Sequence, residues 1–371
     1  MRLGFVGAGF VADYYGATLG LHPELSVAAV CDRDASRAAS FADRFGGRVV
    51  PDVDALVGAD DVDLVVNLTD PRSHAAVSMA AIAAGKHVYS EKPLAMAFDD
   101  AAALAAAADE AGVVLACAPC SVLGETAQTM GRALDAGVVG APLVVYAEMD
   151  DGLVPAAPYR RWASASGLPW PYKDEFEVGC TIEHAAYVLS WLVAWFGPAS
   201  KVVSYATVTV PDKVPGETLD MVSPDFSVAC IEWPSGVVAR LTTGIVAPHD
   251  HSLTVVGDRG ILYTDETWDY RAKVHSKRLL TIRRRMMLTP VARRHRLVDL
   301  GYDAPDTKGA QTMDFCRGPA EVAAAVREDR ACRIGSAFSL HVNELVLAIH
   351  DSLTGPNVIE PTTTFPADLH P

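Results

Sequence analysis

Leu3-Gly4-Phe5-Val6-Gly7-Ala8-Gly9-Phe10-Val11-Ala12 decides the fold. Four residues of strand character run straight into a G-x-G-x-x-A turn, and residues 13–21 then read as a helix. The first glycine permits the tight turn, the second lets backbone approach a pyrophosphate, and a small third residue lets helix pack closely on strand. The free N–H groups and dipole of the helix N-terminus attract the same pyrophosphate. A second apolar run, 27–30, leads to Asp32, 20 residues past Ala12. An acid there accepts hydrogen bonds from an adenosine ribose. Gly7, Gly9, Phe10, Val11, Ala12 and Asp32 therefore predict a dinucleotide site. The Asp32 charge repels a 2′-phosphate and favours NAD, while Arg33 beside it keeps NADP open.

The same pattern extends outward from this turn. Runs 62–68, 86–89 and 113–116 read as further strands buried on both faces, and 35–45, 73–84 and 99–111 as Ala-rich helices. Strands alternating with helices predict a doubly wound parallel α/β sheet, a Rossmann domain over residues 1–120. Beyond it the pattern changes. A helix over 124–136 and a strand over 143–148 precede an irregular stretch, 151–176, with four prolines and two tryptophans. A loop of that length without structure is uncommon unless it has a task, such as covering a site. An apolar helix over 181–196 follows, then strand-like runs at 202–210, 226–233, 237–243, 253–256 and 261–264, then helices at 313–327 and 338–352. Strands grouped in this way predict an α+β domain over 121–371, with an open, mostly antiparallel sheet covered on one face by helices. The tail from Pro356 to Pro371, with prolines also at 361 and 366, is the one segment expected to be poorly ordered.

Composition narrows the function classes. The 371 residues carry a formal net charge of −15, which argues against a nucleic-acid partner. Residues 271–296 are the exception, with ten Lys/Arg and no Asp/Glu; they read as a solvated face or a phosphate or subunit contact. No run approaches the ~18 apolar residues a membrane span needs. The first strand begins at residue 2 or 3, so no signal peptide is expected, and a cytoplasmic protein with seven free thiols is.

Two further segments lie at the carboxyl ends of strands, where open α/β sheets bind ligands. They are Asn67-Leu68-Thr69-Asp70-Pro71-Arg72-Ser73-His74 and Gly85-Lys86-His87-Val88-Tyr89-Ser90-Glu91-Lys92-Pro93. Together with Gly7–Ala12 they resemble the glucose–fructose oxidoreductase/inositol dehydrogenase/MocA-like (Gfo/Idh/MocA) family, and the order of elements in the second half is similar to that family's. The resemblance implies that Lys92 lies between nicotinamide and substrate; position at the strand ends puts Asn67, Thr69, His74 and Glu91 beside the cofactor, with Arg33 next to Asp32. The family reads Asn-x-Thr-Pro where this chain has Asp70 inserted before Pro71. It also has Asp-x-Gly-x-His on the first long helix of the second domain. Counting back from Gly197, the positions here are Glu183, Ala185 and Tyr187, so Glu stands for Asp and Tyr for His.

Residues 183 and 187 are four apart and share a helical face. Oxidising an alcohol needs a base for the hydroxyl proton. A tyrosine is a poor one at its usual pKa of ~10, so the nearby Lys92 ammonium is expected to lower it. Lys92 can also stabilise a developing alkoxide. Lys92, Tyr187 and Glu183 are thus the expected catalytic set, and His184, Arg160 and Trp162 the expected substrate contacts. Trp170, Tyr172 and Lys173 lie in the same long loop. Cys117-Ala118-Pro119-Cys120 has redox spacing but suits a turn. His249 and His251 can share a strand face and line the substrate pocket; no metal is expected.

The expected function is hydride transfer between a nicotinamide and a hydroxyl or keto carbon of a sugar, cyclitol or sugar derivative, in a homodimer or homotetramer. An NADPH-dependent natural-product tailoring reductase is a variant of that reading. A non-catalytic NAD(P)-binding regulator of the same fold is the alternative.

Overall fold

The computed structural model describes residues 1–303 and 312–366. Its first sheet is built from β1 (Arg2–Val6), β2 (Ser26–Cys31), β3 (Arg48–Val49), β4 (Leu64–Asn67), β5 (His87–Ser90) and β6 (Leu115–Cys117). The strands are all parallel, in the order β3-β2-β1-β4-β5-β6. The connecting helices are α1 (Ala12–Leu19), α2 (Ala35–Phe45), α3 (Val53–Val57), α4 (His74–Ala83) and α5 (Phe98–Ala111). This is the expected Rossmann sheet. Its central strands are buried on both faces, so their apolar runs are continuous rather than alternating. Helix starts and stops are chemically marked. Asp34 caps α2 by accepting from the Ser36 N–H, and Gly112 ends α5 in the left-handed conformation at φ +66°. Two short elements, β3 and α3, were not anticipated, because two strand residues and five helical ones are too few to show a period.

The chain continues with α6 (Glu125–Asp135), β7 (Pro142–Asp150), α7 (Tyr172–Val178) and α8 (Cys180–Phe196). Six strands follow before the next long segment: β8 (Lys201–Thr207), β9 (Phe226–Glu232), β10 (Val238–Gly244), β11 (Leu253–Gly257), β12 (Gly260–Thr264) and β13 (His275–Ile282). Next come β14 (Arg285–Leu288), β15 (Arg293–Arg294), α9 (Arg317–Glu328), α10 (Ser336–His350) and β16 (Val358–Ile359). The sheet order is β14-β13-β12-β11-β7-β10-β9-β8-β16, with β15 paired to β13. The pairing is antiparallel except between β7 and β10. Side chains alternate in and out along β8: Val202, Ser204 and Ala206 are buried, and Val203 and Tyr205 are exposed. Helices α8 and α10 cover the inner face. The segment from Pro356 pairs with β8 through Val358 and Ile359, so part of the expected loose tail is strand; residues 367–371, Pro371 included, lie outside the described residues. Within the 271–296 stretch Ala272, Val274 and Ser276 are buried and Arg271 reaches the buried Glu125, while residues 280–288 form an exposed hairpin between β13 and β14.

The division near residue 120 falls between the two sheets, but the last helices cross it. Helix α10 packs on α5 and β6, and α9 on β5 and β6. A buried charge network reinforces that return. Arg317 bonds Glu125 at 2.8 Å and Asp314 at 3.2 Å, and Asp314 also bonds His22 of the Rossmann domain at 2.8 Å, all four side chains being at most 4% exposed. Arg317→Ala would leave buried Asp314 with His22 and buried Glu125 with Arg271 as their remaining ionic partners. It is expected to cost roughly 3–5 kcal/mol, read as a lowered urea midpoint with little change in slope.

Candidate active site

The carboxyl ends of the Rossmann strands open into a cleft of about 1460 Å³ between the two domains. At one end Gly7 has φ +94°, and a Cβ there would lie 2.6 Å from the Leu68 carbonyl oxygen. Gly9 has nothing within 4 Å of a built Cβ, so its backbone is bare toward the cleft. Phe10 and Val11 line the wall, and Ala12 is buried under it at the start of α1. Asp32 faces the same space, its Oδ2 accepting from the Ala8 N–H at 2.7 Å and its Oδ1 from the Asp34 N–H at 2.8 Å. Its carboxylate therefore orders the glycine turn and keeps lone pairs for a ribose. Arg33 is 95% exposed, 3.9 Å from Asp70. A bare glycine cradle at a helix N-terminus with an acid beside it fits an NAD(P) adenosine diphosphate. Gly7→Ala combines a strained φ with a backbone collision. It is expected to weaken NADH binding by about tenfold or more in a fluorescence titration.

The 151–176 stretch forms the roof. Trp162, Leu168, Pro169 and Trp170 line the cleft, and Ser166 reaches across to Asp13 of α1, donating from N at 2.8 Å and Oγ at 2.6 Å. The covering task expected of this loop matches its position. Its end is helical, however. α7 begins at Tyr172, behind two prolines that disguised it as loop.

The second wall comes from the segments after β4 and β5. Thr69 and His74 line the cleft, but the Asn67 side chain does not. It is fully buried, donating to the His74 carbonyl and Ser78 and accepting from the Thr69 N–H and hydroxyl. Asn67 thus shapes the turn that presents Thr69 instead of touching a ligand, which corrects the expected cofactor contact. The His74 ring is held between the carbonyls of Pro93 and Thr69, at 2.7 and 3.1 Å. Glu91 accepts from the Tyr15 hydroxyl at 2.8 Å and from the Lys92 N–H at 3.0 Å. These bonds fix the backbone from which Lys92 projects.

Lys92 and Glu183 meet at the domain junction as a buried ion pair, their side chains 14% and 7% exposed. Burial opposes the Lys92 charge, and the opposing charges, Glu183 foremost, outweigh it, so its pKa lies above the ordinary lysine value. Glu175 on α7 also lines the cleft. Burial and the Glu183 charge push its carboxyl well up, toward the protonated form. Tyr187 sits one turn beyond Glu183, its ring 5.2 Å from that of Trp268. The expected phenolate is not supported. Lys92 does pull the Tyr187 pKa down, but burial pushes it up by more, and the net shift is above the ordinary phenol value. The phenol therefore keeps its proton at neutral pH. His184 lines the cleft as expected, with its Nε2 3.8 Å from Asp151 and its Nδ1 buried without a hydrogen-bond partner among the described residues.

One expected substrate contact is displaced. Arg160 turns away from the cleft to pair with Glu217 and bond the Pro215 carbonyl, so it is no substrate contact in this structure. Cys117 and Cys120 are unpaired, and burial pushes both thiols up, the reverse of what a redox pair needs. Glu175, Asp151 and Trp268 line the cleft without having been anticipated. Only Glu175 carried a signal, in its nearness to Tyr172 and Lys173 of the same segment.

Residues 1–118 match the oxidoreductase family with an NAD-binding Rossmann fold, GFO_IDH_MocA, and residues 127–263 match the GFO/IDH/MocA C-terminal domain. The chain is 43% identical over 117 residues to a 1,5-anhydro-D-fructose reductase of Ensifer adhaerens, covering 31% of this chain and 34% of the relative. It is 43% identical over 97 residues to an inositol 2-dehydrogenase of Acidothermus cellulolyticus, covering 26% and 28%. The chain therefore spans only about a third of the length of these curated relatives in the aligned region. Among solved structures, an oxidoreductase from Agrobacterium radiobacter in complex with NAD+, L-tartaric acid and magnesium superimposes with a TM-score of 0.75 at 17% identity, over 97% of this chain and 98% of that one. A 3-ketoreductase from Actinomadura kijaniata in complex with NADP gives 0.70 at 24% identity, over 94% and 96%. Those two likenesses are of fold; the domain matches carry the family. With a Rossmann sheet and a following open sheet matched in that order, the chain belongs to the Gfo/Idh/MocA oxidoreductase family.

Proposed function

We propose that this protein is an NAD(P)-dependent oxidoreductase interconverting a hydroxyl and a keto carbon of a sugar, cyclitol or sugar derivative. The observation that carries the reading is the Lys92 ammonium, held by Glu183 at the junction of the dinucleotide cleft and the second domain. Bound there, the nicotinamide supplies the hydride donor or acceptor. Lys92 would hydrogen-bond the reacting oxygen and stabilise its developing negative charge, in a site whose buried walls strengthen that interaction. The protonated Tyr187 would give the alkoxide its proton in the reducing direction and recover it in the other. Glu183 positions the ammonium. The aromatic wall of Trp162 and Trp268 suits the apolar face of a sugar ring.

NAD is the proposed cofactor, since Asp32 would repel a 2′-phosphate; the exposed Arg33 is the feature that would admit NADP. Homo-oligomerisation through the outer face of the second sheet is supported by exposed Leu143, Tyr146, Val203 and Tyr205. Seven unpaired cysteines fit a reducing compartment, the cytoplasm being the proposed one. The regulatory alternative is not favoured, because Lys92 and a proton-bearing Tyr187 are both in place.

The test is binding and oxidation of NADH and NADPH across a panel of ketosugars and inososes. Turnover with tighter NADH than NADPH binding is expected. Tight binding without turnover on a broad panel would favour the regulator. Failure to bind either nucleotide would sink the proposal.

A further inference from the structure

We propose that Asp151, His249 and His251 form a binding site for a divalent transition-metal ion at the substrate end of the cleft. Backbone pairing makes the cluster. Asp150 and Asp250 exchange N–H···O bonds of 3.0 and 2.9 Å, which sets residue 151, just after β7, beside residues 249–251, just before β11. Alternation along an extended chain puts His249 and His251 on one side, and their ring centroids are 4.0 Å apart. One ligand atom from each of the three residues lies within 4.8 Å of the other two.

The second observation is His251 itself. Its side chain is fully buried, yet its Nε2 has no hydrogen-bond partner among the described residues. A buried polar atom left unsatisfied is costly. That nitrogen is aimed at Asp151, with Oδ1 at 3.7 Å. The gap is too long for a hydrogen bond. It is close to the roughly 3.4 Å between two ligands that each sit about 2.0–2.1 Å from one tetrahedral ion. The other side of each ring is braced. Glu266 accepts from His251 Nδ1 and meets His249 Nε2, both at 3.1 Å, and its own Oε1 is held by the Trp268 N–H at 2.8 Å. A carboxylate behind a metal-ligating imidazole fixes the ring and raises its basicity.

Two imidazoles and one carboxylate suit Zn²⁺, and also Co²⁺ and Ni²⁺, better than Mg²⁺ or Ca²⁺. Three protein ligands leave a fourth position open. Asp151 lines the cleft beside His184, so that position faces the space proposed for the substrate and would take a water or a substrate oxygen. The site stands whether or not the proposed hydride transfer is correct, because no step of that chemistry runs through it.

The test uses the full chain stripped with a chelator and titrated with Co²⁺ at fixed pH. Saturable visible d–d absorption at one ion per chain is expected, displaced by Zn²⁺, with a rise in melting temperature on Zn²⁺ addition. His251→Ala should abolish the signal. His249→Ala, at a largely exposed position, and Asp151→Asn guard against simple unfolding and should each weaken binding at least a hundredfold. Glu266→Gln should weaken it about ten- to a hundredfold. Lys92→Ala should leave the absorption unchanged, which separates the metal site from the proposed oxidoreductase site. No stoichiometric binding at micromolar Co²⁺ or Zn²⁺, or binding that survives His249→Ala, Asp151→Asn and His251→Ala alike, overturns the proposal.

Discussion

Lys92→Ala is expected to lower kcat by about a thousandfold or more while leaving the NADH dissociation constant within about twofold. The two halves of that result come from different parts of the cleft. The nucleotide is expected to be gripped by the glycine turn and Asp32, which Lys92 does not touch, and substitutions at separated sites act nearly independently. The reacting oxygen has Lys92 as its expected cationic partner. Removing one donor that stabilises a developing oxyanion costs about 10²–10³ in rate, and losing a positioned proton-transfer group about 10²–10⁴. Lys92→Arg should recover little. A planar guanidinium keeps the charge but not the compact ammonium, and Glu183 would draw its fork aside. Circular dichroism and a urea midpoint would show that the variant is folded. A Lys92→Ala protein retaining more than about a tenth of wild-type turnover would remove Lys92 from the chemistry, since losing an oxyanion-stabilising donor costs about a hundredfold or more.

What the sequence disclosed and what it hid divide along a physical line. The glycine turn was readable because it is local: only glycine tolerates the Gly7 conformation and the nearby Leu68 carbonyl, so the constraint is written at that position. Lys92 was readable through its neighbours Glu91 and Pro93 and the resemblance they carry. Asn67 was placed on the right turn but given the wrong task, because the direction of its side chain depends on His74 and Ser78, seven and eleven residues further along the chain. The charge state of Tyr187 was misjudged for a related reason. A sequence shows that a lysine can be near, but whether burial outweighs it depends on packing of α8 and Trp268, more than 80 residues away in the chain. Likewise Asp151 joins His249 and His251 only through the Asp150–Asp250 pairing, a register that no local pattern records.

Glu183→Gln carries the second large effect, and it should appear as a displaced pH profile more than as a dead enzyme. In the wild type, burial disfavours the Lys92 ammonium and the Glu183 carboxylate more than compensates, so the folded-state pKa is above the ordinary lysine value. A raised lysine pKa contributes stability that is fully present below the unfolded value near 10.4 and is lost only as pH rises through the folded one. Turnover should therefore show no alkaline loss from Lys92 up to about that pH. With glutamine at 183 the burial penalty remains and the principal opposing charge is gone. The Lys92 pKa should fall, bringing an alkaline limb down toward the measurable range. The folded state should lose on the order of 3 kcal/mol at neutral pH, because a buried cation has lost its partner. Glu175 complicates the result in a checkable way. Its carboxyl is held up by burial and by the Glu183 charge. Removing that charge lets Glu175 ionise and partly replace Glu183 beside Lys92. The double variant Glu175→Gln/Glu183→Gln should then show the lower-lying limb, and Glu175→Gln alone a nearly wild-type one. If Glu183 served only to pack α8, both variants would lose amplitude equally at every pH and the limb would not move.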